Sequence, residues 1–336
     1  MSADGAVLQG HEISLATRAA WMHFAGGMTQ TDVAARLGIT RLKAHRLIAR
    51  ASQTGLVRVF IDGEIAECVQ LETALSTRYG LTYCEVVPNL DGDAFPIDVL
   101  GMAGAQFLQN VLERGEDTLI GVGHGRTLAA SVDRLIRLPS VKARFVSLLG
   151  GLTRKFAANP HDVVHRLADR TGAEAYMLPV PFTANSVADR EVLMAQRGIA
   201  EVFEMARQAS LHFVGIGTVE WQASLVATGM IERGEIDEVK REGGCGEMLG
   251  RFFDRNGQPV ETDLGRRTLS VGLDDIRRGR TVAVAGGAVK VDAIRAVLAS
   301  GHLQGLITDE RTAAKIIEAA GPIPAGGSAG RLDKAR

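Results

Sequence analysis

The sequence TLIGVGHGRTLAASVDRLI spans residues 118–136 and combines two patterns. Thr118–Val122 is a short, mostly apolar run of the length of a buried strand. Glycines lie at 121, 123 and 125, at the end of this run and just after it, and from Thr127 to Ile136 the apolar residues take helical spacing. A strand, a glycine turn and a helix in this order predict one unit of an α/β fold.

The same succession recurs between residues 83 and 319. The predicted strands are Tyr83–Val87, Thr118–Val122, Phe145–Leu149, Ala175–Val180, His212–Ile216, Thr281–Ala285 and Gln304–Thr308. The predicted helices between them are Ile97–Glu113, Thr127–Ile136, Pro160–Arg170, Glu191–Gln208, Val289–Ala299 and Glu310–Ala319. This alternation predicts an α/β domain on a mainly parallel, Rossmann-like sheet, which binds ligands at the carboxyl ends of its strands.

Glycines collect at four of those strand ends. They lie in GVGHGRT (121–127), LGGLTR (149–154), GIGT (215–218) and AGGAVK (285–290). Glycine lets the backbone approach a ligand closely, and the helix that follows offers unpaired N–H groups to an anion. A single such turn also serves plain packing of a helix on a strand. Four turns, with Arg126, Thr127 and Lys290 among them, favour a polar pocket suited to a phosphate group.

Dinucleotide binding is the competing interpretation of these glycines. The sequence GVGHG after a strand loosely resembles G-x-G-x-x-G. The acidic residue expected at the end of the next strand is missing, because that strand ends in Leu148-Leu149-Gly150-Gly151. The sequence therefore disfavours a nicotinamide or flavin cofactor, and we expect none.

Near the N-terminus, two short helices joined by a glycine turn predict a helix-turn-helix. Thr29 is placed to cap the first of them, with Asp32 as its capping-box partner. Gly38 stands where a helix end needs a left-handed residue, and Thr40 caps the next helix. That helix carries an apolar stripe of Ala44, Leu47, Ile48 and Ala51, and the residues from 56 to 61 read as a strand, which suggests a winged type.

The second helix of this pair is basic on its outer side. In such motifs the second helix enters the major groove. Arg41 and His45 lie one turn apart, so both can face base edges, and Arg46, Arg50 and Arg58 suit phosphate contacts. The alternative, a solvated basic helix in a helical subdomain, explains the charge but not the turn and the caps.

The net charge of −1 conceals an asymmetry. Residues 1–60 hold seven Lys and Arg against three Asp and Glu, which gives +4, and the other 276 residues hold 31 against 36, which gives −5. A basic N-terminal part on a slightly acidic remainder indicates nucleic acid at the N-terminal part alone.

Composition excludes several classes of protein. The chain has 336 residues, 46% of them hydrophobic and 23% charged, which describes a folded chain of about two domains. No apolar run approaches the roughly 20 residues of a membrane-spanning helix, and no secretory signal opens the sequence. Three scattered cysteines favour a reducing, cytoplasmic location over a disulfide framework or a zinc site.

The N-terminal motif resembles that of the SorC family of bacterial sugar-responsive regulators. The matching residues lie within TQTDVAARLGITRLKAHRLIARASQTGLVRV (29–59). Two positions depart from the family pattern: Ala44 stands where the family prefers a larger branched residue, and His45 where it prefers Ser. The resemblance extends DNA contact to a set of residues: Thr29, Gln30, Thr40, Arg41, Lys43, His45, Arg46, Arg50 and Arg58.

The rest of the chain resembles the effector-binding part of the same family. The signatures GVGHGRTL, LLGGL, GCGEMLGRFFD, VAVAGGAVKVDAIRAVL and GLITDERTAAKII occur in the expected order. The resemblance implies a fold similar to glucosamine-6-phosphate deaminase and ribose-5-phosphate isomerase, a pocket for a sugar, polyol or sugar phosphate, and a homodimer or homotetramer on operator DNA. It implies effector contacts from Gly123, His124, Gly125, Arg126, Thr127, Gly151, Gly217, Glu247, Lys290 and Asp309.

A sugar-phosphate isomerase or deaminase with an accessory nucleic-acid-binding part is the alternative. Acid or base candidates by residue type are Glu247, Asp309, Glu310, His124 and Lys290, and a Schiff base is open to Lys155 or Lys290. His161 and His165 lack the H-E-x-x-H pattern of a zinc enzyme, so we expect no metal. The fused DNA-binding part favours a regulator over an enzyme.

The predicted organisation has four parts. Residues 1–61 form the DNA-binding domain, 62–80 a linker helix, 81–320 the effector domain and 321–336 a flexible tail. We expect a cytoplasmic regulator of a carbohydrate or polyol operon, with no membrane partner.

Overall fold

The computed structural model describes residues 13–54, 56–57, 66–89, 95–138, 141–154, 159 and 161–320. The chain divides into two compact units, Met1–Gly63 and Glu64–Arg336, and each is described by itself. The expected strand at 56–61 and the tail at 321–336 lie mostly or wholly outside the described residues, as do Arg58 and Lys155.

The first unit is helical. Its helices are α1 (13–20), continued by a π-helical turn at Trp21–Ala25, α2 (Gln30–Leu37) and α3 (Arg41–Gln53). Thr29 and Asp32 form the predicted capping box, and Gly38 ends α2 at φ 65°, a left-handed conformation that favours glycine. The Thr40 side chain accepts a hydrogen bond from Lys43 N at 3.3 Å. The predicted helix-turn-helix is confirmed.

Small residues bring these helices close together. Ala16, Ala19 and Ala20 of α1 are buried against α2 and α3 residues. Ala44 of α3 is fully buried in the same cluster. A larger branched side chain at 44 would therefore have to displace its neighbours, which gives the departure from the family pattern a packing explanation.

The second unit alternates helices and strands. Its helices are α4 (Ala66–Tyr79), α5 (Ile97–Arg114), α6 (Arg126–Arg134), α7 (Val164–Thr171), α8 (Val187–Met194), α9 (Arg197–Arg207), α10 (Ser224–Ala227), α11 (Arg233–Arg241), α12 (Asp263–Arg267), α13 (Leu273–Ile276), α14 (Val291–Ala299) and α15 (Glu310–Ala319). Its strands are β1 (Tyr83–Val87), β2 (Leu119–Val122), β3 (Arg144–Ser147), β4 (Ala175–Tyr176), β5 (Leu211–Val214), β6 (Gly217–Thr218), β7 (Gly246–Met248), β8 (Arg251–Phe253), β9 (Arg280–Val284) and β10 (Gly305–Asp309).

Seven of these strands form one parallel sheet in the order β1-β10-β9-β5-β2-β3-β4. Successive side chains point to opposite faces, and both faces are covered. Ile120 and Val122 join one apolar cluster with α5 and α6, whereas Leu119 joins the cluster on the other face. Burial on both faces explains why the strands read as continuous apolar runs, and the predicted α/β fold with a parallel sheet is confirmed.

The strand order places a crevice in the middle of this sheet. From β2 the chain proceeds to β3 and β4 on one side, whereas β5, next to β2 on the other side, is followed by β9 and β10. Connections that leave in opposite directions open a gap at the carboxyl ends of the two central strands. The loops after β2 and β5 meet there.

A small antiparallel sheet was not predicted. It consists of β6, β7 and β8 and pairs Gly217 with Glu247. These strands have only two or three residues each, too few for an alternating pattern to show. Strand β7, which bears Glu247, pairs with β6, and β6 begins shortly after β5 ends. The small sheet therefore places Glu247 near the carboxyl end of β5.

Three predicted elements are wrong in their extent. The strand expected at Ala175–Val180 ends at Tyr176, because Pro179 and Pro181 lack the N–H that a ladder needs. The helix expected at Glu191–Gln208 is two helices, α8 and α9, and α8 begins earlier because Ser186 caps it through Asp189 N at 3.0 Å. The helix expected at Pro160–Arg170 begins at Val164 instead.

Within the described residues, no helix is both long and apolar enough to cross a bilayer. The same residues contain no group of three or more His, Cys, Asp and Glu arranged to hold a metal ion.

Candidate functional site

A cavity of about 440 Å³ opens at the carboxyl ends of β2, β5 and β9. This volume suits a small organic ligand. The predicted effector residues that line it are Gly123, His124, Gly125, Arg126, Thr127, Gly217, Glu247 and Lys290. Residues from four separate segments of the sequence thus come together at the predicted edge of the sheet.

The N-terminus of α6 forms one wall. Gly125 precedes the helix at φ 139°, a conformation that favours glycine, and its N–H donates to the carbonyl of His161 at 3.2 Å. The first intrahelical bond is donated by Ala129 to Gly125 O, so the N–H groups of residues 126–128 have no partner within the helix. Such an end attracts anions, and the exposed Arg126 adds a full positive charge beside it.

Two cationic side chains, those of Arg126 and Lys290, lie close to the ring of Phe95. The Arg126 guanidinium lies 5.3 Å from the ring centroid of Phe95, and the Lys290 ammonium lies 5.5 Å from the same centroid. Gly287 makes room for the ring, since a Cβ there would come within 2.8 Å of it. Phe95 therefore holds two like charges at one side of the cavity through cation–π contacts.

Lys290 ties two loops together. Its Nζ donates to the carbonyl of Ile216 at 2.7 Å, which joins the loop after β9 to the loop after β5. Burial, together with the positive charge of Arg126, lowers the pKa of Lys290 to about 8, although Glu247 opposes the shift. The ammonium therefore remains mostly charged at neutral pH.

Glu247 is the buried acid of the cavity, at 8% exposure. Its Oε1 accepts a hydrogen bond from Gly250 N at 2.6 Å. Burial raises the pKa of Glu247 to about 7, although the Gly250 N–H and Lys290 both favour the ionised form. Near neutral pH this carboxyl can accept a hydrogen bond from a ligand hydroxyl or, when protonated, donate one.

Positive charge dominates the cavity. Arg126 and Lys290 are cationic, whereas Glu247 is only partly ionised near neutral pH because of its raised pKa. Another lining acid, Glu220, is engaged by Lys240 Nζ at 2.6 Å. The arrangement is complementary to an anionic group next to a hydroxylated one.

His124 is neutral in this environment. Burial, with a smaller contribution from His161, lowers the pKa of His124 to about 4. Its ring packs edge-on against Phe182 at 5.9 Å between centroids, and its Nε2 has no hydrogen-bond partner among the described residues. The ring therefore contributes an uncharged surface to the lining of the cavity.

Two predicted effector residues lie outside the cavity lining. Asp309 caps α15 by accepting from Thr312 N at 3.1 Å, and it also accepts from Gly287 N at 3.0 Å. It thus supports the loop that carries Lys290 instead of facing a ligand. Gly151 lies beside the carboxylate of Asp162. The structure therefore does not bring these two residues into the cavity lining with the other predicted effector residues.

The structure assembles few of the groups considered for catalysis. Glu310 opens α15 and does not line the cavity. His161 approaches the site through its backbone carbonyl, and His165 lies on α7 outside the lining. Of the candidates in the described residues, only Glu247, His124 and Lys290 are brought together.

Sequence reasoning missed Phe95, Leu249, Glu220 and the segment from 222 to 225, all of which line the cavity. Phe95 precedes Pro96 and α5, and no local pattern distinguishes it from a packing residue. The signal that could have found it is the glycine at 287, which leaves space for a ring.

The predicted DNA-contact residues lie on the first unit. Thr29, Thr40, Arg41, Lys43, His45, Arg46 and Arg50 are exposed, and Gln30 is half-buried. Those on α3 lie away from its buried stripe of Ala44, Leu47, Ile48 and Ala51. The structure thus brings a basic face together on the second helix of the motif.

The chain is similar to known proteins over most of its length. Residues 63–318 match the model of a putative sugar-binding domain. The chain is 57% identical over 304 residues to the erythritol catabolism regulatory protein EryD of Brucella abortus, covering 90% of this chain and 96% of that one. It is 34% identical over 316 residues to the transcriptional regulator LsrR of an Enterobacter species, covering 92% and 94%.

Solved structures show the same fold. The full-length sorbitol operon regulator SorC of Klebsiella pneumoniae matches with a TM-score of 0.66 and 24% identity, over 91% of this chain and 99% of that one. These relatives are named as transcriptional regulators and not as enzymes, so the expectation of a regulator is confirmed. The chain therefore belongs to the SorC family of sugar-binding transcriptional regulators, which respond to a carbohydrate ligand.

Proposed function

We propose that this carbohydrate-responsive regulator binds a small phosphorylated polyol in the cavity between β2, β5 and β9. The observation that carries the proposal is the convergence of Arg126, Lys290 and the α6 N-terminus on one side of the cavity. A neutral polyol has no negative charge for these three positive groups to bind. A phosphate ester can accept hydrogen bonds from all three through its charged oxygens.

The residue roles follow from this placement. The phosphate group contacts Arg126, Lys290 and the N–H groups around Thr127, and the backbone of Gly123 and Gly125 allows its approach. Glu247, held against Gly217, binds a hydroxyl group. His124 limits the shape of the ligand. Asp309 acts indirectly, through Gly287.

The similarity to a regulator of erythritol catabolism supports a short polyol skeleton. At 57% identity over nearly the whole chain, the two proteins are expected to share the class of ligand. We therefore propose that this chain controls an operon for catabolism of a four-carbon polyol or a close analogue.

The DNA-binding half of the proposal places α3 in the major groove. The residues proposed to contact operator DNA are Thr29, Gln30, Thr40, Arg41, Lys43, His45, Arg46, Arg50 and Arg58. A helix-turn-helix reads two half-sites about 34–36 Å apart as a dimer. The proposal therefore includes a homodimer or homotetramer acting in the cytoplasm, with the division at 61, 80 and 320 expected from the sequence.

Calorimetry with erythritol, erythritol phosphate and inorganic phosphate tests the choice of effector. We expect erythritol phosphate to bind at least about tenfold more tightly than erythritol, since a charged hydrogen bond contributes about 1.5–3 kcal/mol. Inorganic phosphate should bind weakly and compete. Tighter binding of free erythritol would overturn the assignment of a phosphate to Arg126 and Lys290.

A further inference from the structure

Leu42 is a large apolar side chain on the outer face of α3. It is the second residue of the helix and is 59% exposed. A helix advances about 100° per residue, so Leu42 projects from the middle of the face opposite the buried stripe. That stripe consists of Ala44, Leu47, Ile48 and Ala51. Leu42 therefore contributes nothing to the core of the first unit.

The surroundings of Leu42 are polar and basic. Arg41, Lys43, His45 and Arg46 are all exposed around it. A single exposed leucine needs no explanation on an ordinary surface. This one lies in the N-terminal half of the second helix of a helix-turn-helix, where side chains meet base edges. The flanking cations complement the phosphates on either side of the groove.

The floor of the major groove limits what a leucine can contact. Base edges there present hydrogen-bond donors and acceptors, and the C5-methyl group of thymine is the apolar exception. A leucine pressed against donors and acceptors would leave them unpaired at a cost in affinity. Against a thymine methyl, the same side chain removes apolar surface from water on both partners.

We propose that Leu42 contacts the methyl group of a thymine in the operator and selects an A·T pair at one position of each half-site. The inference rests on the proposed placement of α3 in the major groove. It adds a nonpolar contact to the hydrogen bonds expected from Arg41 and His45.

Replacement of thymine by deoxyuridine tests this contact, because it removes the methyl group and leaves every hydrogen-bonding group in place. The full-length protein first selects a duplex from a random pool. Each thymine of that duplex is then replaced singly, and Kd is measured by fluorescence anisotropy for the wild type, Leu42→Ala, Leu42→Met and Lys43→Ala.

For the wild type, we expect one thymine per half-site whose replacement weakens binding about three- to fourfold, the effect of one buried methyl group. Leu42→Ala should bind the selected duplex less tightly and lose this sensitivity, whereas Leu42→Met should keep it. Lys43→Ala should weaken binding to all duplexes alike and retain the sensitivity. Unchanged thermal unfolding would show that the exposed substitutions leave the fold intact.

Three outcomes would overturn the inference. If no thymine replacement weakens the wild type, or if Leu42→Ala keeps the sensitivity, Leu42 does not read a methyl group although α3 still binds DNA. If the wild-type protein selects no duplex at all, the placement of α3 in the major groove is wrong, and the proposed contact of Leu42 with a thymine methyl group is wrong as well.

Discussion

Gly217 and Glu247 are cross-strand partners in the small antiparallel sheet, and they lie so close that a methyl group on Gly217 would overlap Oε2 of Glu247. The glycine thus leaves the space in which the buried carboxyl sits. The Gly250 N–H fixes its other oxygen. The position of this acid in the cavity therefore depends on a glycine that has no side chain to contact a ligand.

The first prediction follows from this pair. Gly217→Ala should displace the Glu247 carboxyl and weaken effector binding at least about tenfold, which corresponds to loss of one hydrogen bond to a charged group. Affinity for operator DNA without effector should stay unchanged. Calorimetry measures the first quantity and anisotropy the second.

A matched control for this change is Gly198→Ala on α9, where an added methyl group meets nothing within 4 Å. It should bind effector as the wild type does. Wild-type effector affinity in Gly217→Ala would show that Glu247 does not contact the ligand.

Lys290 gives the second prediction. Lys290→Met keeps the length of the side chain and removes its charge, so it should cost about 1.5–3 kcal/mol in binding of a phosphorylated polyol. Lys315→Met, at an exposed position on α15, serves as the control. Equal calorimetric affinities of the two variants would refute the role of Lys290.

Phe95 gives the third prediction. Its ring holds Arg126 and Lys290 near one another despite their repulsion, and without it the two cations should separate. Phe95→Ala should therefore weaken binding of a phosphate ester about fivefold or more, since the cations must be brought together again on binding. Phe24→Ala, on an exposed ring of the first unit, should leave the affinity unchanged. A loss of the same size in both variants would contradict the organising role of Phe95.

The fourth prediction concerns pH. Glu247 loses its proton as the pH rises through about 7, and Lys290 loses its proton through about 8. Both changes make the cavity more negative. A phosphate ester is largely dianionic above about pH 7, so its affinity should fall from pH 7 to 9.

Two variants separate these groups. Glu247→Gln should remove the lower part of the pH dependence, and Lys290→Met the upper part. Calorimetry across this range checks both. An affinity that rises with pH, or one that is flat in the wild type, would show that the charges of these two groups do not act on the bound anion.

Much of the sheet could be predicted because burial on both faces makes strands such as Val282–Val284 continuously apolar. The end of β4 at Tyr176 was readable in principle from Pro179 and Pro181. The small sheet was not, since β6 has two residues. Such short strands are defined by their pairing and not by their own composition.

Part of the candidate site could be predicted because some of its residues belong to recognisable local patterns. Glycines and cations at strand ends, such as Gly125 and Lys290, carry a local signal. Glu247 was reached only through the family resemblance, because an acid on a three-residue strand shows no pattern of its own. Phe95 was missed because its role arises from two cations distant in sequence.

We propose that effector and operator DNA are linked ligands of this chain, so that binding of one changes the affinity for the other. If the effector binds one state of the protein better, it must change DNA affinity by the factor by which DNA changes effector affinity. The most direct measurement is the Kd of the polyol phosphate with and without saturating operator duplex. We expect a difference of about 5–150-fold, matched by the change in operator affinity on adding effector. Equal effector affinity in the two conditions would contradict the account.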